Sequence, residues 1–174
     1  MDDGIEPGNR RRAGGVVVRI GLIAGTLDIG ENLLFNAFRH ITPAMIFKYI
    51  ASGLTGTWAF SAGAASVSLG LLIHYTIAMT WTAVYYVAAR RLAVLIRRPV
   101  LCGLVYGALV YLFMNMVVLP LTGVPHATAA ATLASRLNGV LALMFCIGVT
   151  VAVLVRRAAL AATATKDASA ALAS

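Results

Sequence analysis

Four apolar blocks, at 16–38, 64–89, 99–121 and 137–155, divide the chain, with Arg, Pro, Gly and Thr gathered between them. Crossing a hydrocarbon layer about 30 Å thick takes roughly 20 helical residues, so each block predicts a transmembrane helix. A fifth segment, PAMIFKYIASGL at 43–54, is too short to cross. Thr42 and Pro43 stand where a cap and a first helical proline belong. Lys48 in its middle suits a short helix lying in the outer interface, either as a lid over the bundle or as a plain connector. Residues 55–63 predict a turn with Trp58 and Phe60 as interface anchors.

The first block is the least uniform. GLIAGTLDIGENLLFNAF at 21–38 carries Asp28, Glu31, Asn32 and Asn36. At about 100° per residue, Gly21, Gly25, Asp28 and Asn32 share one narrow wedge, with Glu31 and Asn36 beside it. Ile23, Leu27, Leu33 and Leu34 point away. A carboxylate at the centre of a span costs roughly 2.5–3.5 kcal/mol. Two of them require the wedge to face protein or water, so the other spans are needed as its partners.

The remaining blocks offer matching faces. In the second, Gly63, Gly70, His74, Ala78 and Trp81 repeat on one side, and Tyr85 and Tyr86 suit an inner aromatic belt. In the third, Gly103 and Gly107 form a small-residue packing pair, and Asn115 lies one turn beyond Tyr111. The fourth opens with Arg136 and Asn138. A rise of about 1.5 Å per residue puts Asp28 ~18 Å from one end of its helix, His74 and Glu31 ~22 Å, Asn115 ~24 Å, and Asn138 and Arg136 ~26–29 Å. These depths predict one polar pocket, open to the periplasm, built from Asp28, Glu31, Asn32, His74, Asn115, Arg136 and Asn138. Glu31 and His74 are expected within hydrogen-bonding reach, with Asn115 and Arg136 nearby. The competing reading makes Asn32, Asn115 and Asn138 interhelical glue worth about 0.6 kcal/mol each. Two acids one turn apart are a heavier load than packing requires. Gly21, Gly25, Gly70, Gly103 and Gly107 are the predicted helix-packing positions, and His126 reads as a loop residue.

Composition agrees with the pattern: of 174 residues, 60% are hydrophobic and only 11% charged, where a soluble domain carries about 25%. The net charge of +8 would suggest nucleic acid in a soluble protein, but here the basic residues bracket the apolar blocks. With both termini on one side, all 14 Lys and Arg residues except Arg39, Lys48 and Arg136 fall on that side. The positive-inside rule then makes it cytoplasmic. A signal peptide fits poorly, because Arg19 interrupts the apolar run and no small-x-small site follows. Arg19 is expected to snorkel from a lipid-facing position to the headgroups. Residues 1–15 read as a disordered basic segment, and 158–174 as a low-complexity tail, a frayed alanine-rich helix being the alternative.

Cys102 and Cys146 have no paired spacing and read as apolar fillers. Only His74 lies well inside a span, which argues against haem held between two histidines of one chain. No cofactor and no metal site is expected. The sequence contains no H-E-x-x-H, G-x-S-x-G or Walker motif, which argues against an enzyme.

Gly-Leu-Ile-Ala-Gly at 21–25, the run from His74 to Tyr85, Gly103-Leu-x-x-Gly107-Ala-Leu, Met116, Pro120-Leu121, Gly123 and Pro125 together resemble the YagU-like group of small bacterial inner-membrane proteins, whose activity is not established. The group can carry histidine where this chain has Asn115, and the Asp28/Glu31 pair is not part of the resemblance. The resemblance implies location and architecture, not mechanism.

The expectation is therefore an all-α, four-transmembrane-helix bundle of the cell inner membrane, multi-pass, with its partners the lipid bilayer and not nucleic acid. A small transport or proton-linked membrane protein is the leading functional reading. The alternative is a non-catalytic scaffold or subunit that forms oligomers through Gly21/Gly25 or Gly103/Gly107.

Overall fold

The computed structural model describes residues 7–123 and 132–172; His126 lies outside them. Among the described residues the chain forms helices and no strands. These are α1 (Pro7–Ala37), α2 (Pro43–Thr55), α3 (Trp58–Ser61), α4 (Gly63–Arg91) and α5 (Ala93–Arg97), then α6 (Pro99–Leu121) and α7 (Leu133–Leu172). Four of them, α1 over Ala13–Ala37 together with α4, α6 and α7, are long and apolar enough to span a membrane.

Local chemistry sets the boundaries. The Thr42 hydroxyl accepts from the Met45 N–H, Pro43 occupies the first turn of α2, and Gly56 at φ 60° closes it by donating its N–H to the Ser52 carbonyl. Thr132 caps α7 by accepting from the Ser135 N–H. Two ends run further than the sequence suggests. Residues 7–15 belong to α1 rather than to a disordered segment, and α7 continues through the alanine-rich tail to Leu172. Extending an existing helix avoids the cost of nucleation, and alanine is the best helix former. The turn expected at 55–63 contains the short helix α3, which leaves Trp58 exposed and Phe60 half-buried.

Two stretches of π-helix interrupt the long spans, Met114–Val118 in α6 and Leu143–Val149 in α7. In α6 the cause is Pro120, which has no N–H to donate and whose ring crowds the carbonyl four residues back. In α7 the Thr150 hydroxyl adds a second bond to the Phe145 carbonyl five residues earlier, which already accepts from the Thr150 N–H.

Glycine brings the spans together. A Cβ on Gly107 would run into the Leu143 carbonyl and the Met144 Cα, and one on Gly103 would lie 2.7 Å from the Gly148 carbonyl. Across the bundle, Gly21 sits against Met79 and Gly25 against Ala78 and Tyr75. Gly70 receives the backbone of Phe47, so α2 lies directly on α4. All five packing glycines are thus used within the chain. Ile20, Ala24, Ala78, Tyr85, Ile147, Val151 and Val155 form the core between α1, α4 and α7. Between α4 and α6 the link is aromatic: Tyr106 donates to the Trp81 carbonyl at 2.6 Å, and its ring meets Tyr85 and Trp81 edge-on.

Candidate functional site

Toward the other end of the bundle the helices part around a cleft of about 510 Å³. Helix α1 contributes Asp28, Glu31 and Asn32. Helix α4 contributes His74, Ala78 and Trp81. From α6 come Tyr111 and Asn115, with Thr122 just past its end, and from α7 Asn138, Gly139 and Leu143. The first π-helical stretch supplies Met114, Asn115 and Val118 to the wall, and the second supplies Leu143 and Ile147.

Six of the seven residues predicted for a polar pocket therefore line one space. Arg136 does not. It is exposed and takes no part in the lining, whereas Asn138 does. Two residues along a helix differ by about 200°, so one depth does not give them one direction.

The expected bond between Glu31 and His74 is not made. His74, buried, places Nε2 2.8 Å from the Gly25 carbonyl. Gly25 lacks a side chain, so α4 comes close enough for that carbonyl to accept a second bond. A carbonyl only accepts, so Nε2 carries the proton. The ring also meets Tyr75 edge-on at 5.3 Å, and Tyr75 in turn shares a hydrogen bond with Thr26 at 2.9 Å. Asp28 lies within electrostatic reach of both His74 and Glu31. Glu31 keeps one carboxylate oxygen buried with no hydrogen-bond partner among the described residues. Asn115 turns its amide back to the Tyr111 carbonyl at 2.9 Å, and Asn36 does the same to Asn32.

Several lining residues escaped the sequence reading. Helix α2 supplies Tyr49, Ile50, Gly53 and Leu54, so it is a wall of the cleft as well as a link between spans. The Gly123 N–H donates to the Gly53 carbonyl at 3.0 Å and ties the end of α6 to it. The periodicity of α2 shows an amphipathic helix but not which helix it covers; Gly70 is the signal for that. Trp81 and Tyr111 lay in view on the faces of His74 and Asn115, without any depth calculation linking them.

Among the described residues no Lys or Arg lines the cleft. Its charge comes from two carboxylates and one imidazole. Such a site exchanges protons or attracts a cation, and its aromatic walls suit a cation that carries apolar groups. Among the described residues no three His, Cys, Asp or Glu side chains gather as metal ligands. Cys102 and Cys146 are both free thiols, each half-buried.

Comparison of the chain with protein-family models, curated proteins and solved structures finds no match.

Proposed function

We propose that the chain is a multi-pass protein of a bacterial inner membrane that moves protons or a small cation by way of the Asp28–Glu31 cleft. Both termini face the cytoplasm, α2 lies in the outer interface, and the cleft opens toward the periplasm. The observation that carries the reading is a cleft lined, among the described residues, by two acids and no Lys or Arg, in helices apolar enough to span a membrane. Intramembrane carboxylates are costly and mark ion and proton paths. The distribution of basic residues supports the orientation, and the YagU-like resemblance supports the compartment.

The test is flux in proteoliposomes holding the full chain, read with an internal pH dye and with uptake of a tetraalkylammonium probe. Glu31→Gln keeps the shape and removes the charge. Flux is expected to fall on the order of tenfold or more, the size of effect that loss of a properly placed proton-transfer group produces. Unchanged flux of both probes in E31Q and in D28N removes the basis for the proposal. The scaffold alternative has lost its dimer faces, since Gly21, Gly25, Gly103 and Gly107 are buried against this chain's own helices.

A further inference from the structure

At the opposite end of the bundle, a second groove of about 640 Å³ opens between α1, α4, α5 and α7. Its walls are short: Ala13, Gly15, Val16, Ala89, Ala158 and Ala162 leave space that no side chain of the bundle fills. Arg19 from α1 and Arg90 from α4 stand in its lining, with Tyr86. Both arginines are exposed, and among the described residues neither guanidinium has a hydrogen-bond or ion-pair partner. Among the described residues no acidic side chain lines the groove.

Arginine placed partway into an apolar span sends its charge toward the headgroup layer while its stem stays in apolar surroundings. Here Arg19, within its span, and Arg90, in the last turn of α4, reach one groove from different helices, and apart from Tyr86 its walls are otherwise alkyl. Apolar length joined to a fixed positive end is complementary to a lipid with an anionic head. A guanidinium forks onto two phosphate oxygens, and basic pockets between membrane helices hold anionic headgroups.

We infer that this groove is a binding site for an anionic phospholipid, its phosphate between Arg19 and Arg90 and an acyl chain along the alanine walls. It is separate from the acidic cleft and does not depend on the transport reading.

The full chain in mild detergent, titrated with lipid and read by native mass spectrometry, tests this. Phosphatidylglycerol and phosphatidylcholine with identical chains are compared, and inorganic phosphate is added as competitor. Wild type should prefer phosphatidylglycerol by on the order of tenfold, as two basic contacts near a membrane surface warrant. R19Q/R90Q should bind both lipids alike, R19K/R90K should retain a preference, and Ala159→Leu, which fills the groove, should weaken both lipids. Equal binding of the two lipids by wild type overturns the inference without recourse to any variant. So does a preference that survives R19Q/R90Q, and so does displacement of the lipid by millimolar phosphate, which would mark an anion site with no need of an acyl chain.

Discussion

The two ends of the bundle are built from the same helices and differ in how those helices meet. Around Tyr85 and Val151 the spans are in contact, glycine faces backbone, and the buried side chains are apolar or satisfy their hydroxyls locally, as Thr82 does on the Ala78 carbonyl. Around Asp28 the spans separate, both π-helical stretches contribute to the wall, and one Glu31 carboxylate oxygen has no hydrogen-bond partner among the described residues. The difference teaches that the glycine contacts do two jobs. They hold the spans together around the Tyr85 and Val151 core, and they fix the position from which the helices diverge around the acidic cleft. The acids sit where packing has been given up, which is where a solute or a proton could be handled.

Substitutions that treat the two ends alike sharpen the contrast. The largest effect is expected from Gly107→Ala, because its new methyl meets backbone on α7 that has nowhere to go. A loss of about 3 kcal/mol, the upper range for overpacking, should appear as an earlier midpoint in SDS-induced unfolding. Tyr106→Phe removes the bond to the Trp81 carbonyl but keeps the ring contacts. It should cost about 0.6 kcal/mol, typical of one hydrogen bond between membrane helices. Gly30→Ala should have the smallest effect and the opposite sign. Nothing lies within 4 Å of the added methyl, and replacing glycine within a helix should raise stability by roughly 0.5 kcal/mol. If G30A and G107A shift the unfolding midpoint equally, the division between packed and open ends is wrong.

Much of this was legible before the coordinates. Apolar block length marks the four long helices, Thr42 and Pro43 mark the start of α2, and helical angle with depth points to six polar residues that line one cleft. The failures have specific causes. Arg136 was placed by depth without its angle. His74 was assigned to the nearest charged partner, although the absence of a side chain at Gly25 exposed a backbone acceptor closer by. The π-helical stretches were hidden because one residue more per turn leaves no mark in hydropathy, and Pro120 pointed only to a helix end. The continuation of α7 past Arg157 was obscured because low complexity and high helix propensity look alike in an alanine-rich run.

The unfavourable residues of α1 also bear on how the chain is made. Asp28 and Glu31 lie in a span that leaves the ribosome before α4, and so before His74 and the rest of the wall exist. Alone in lipid, that segment would carry a penalty of about 5–7 kcal/mol for its two carboxylates. On the proposed membrane reading, entry of α1 is expected to depend on the arrival of α4, whose docking on Gly21 and Gly25 would give the nascent span its first shelter from the acyl chains.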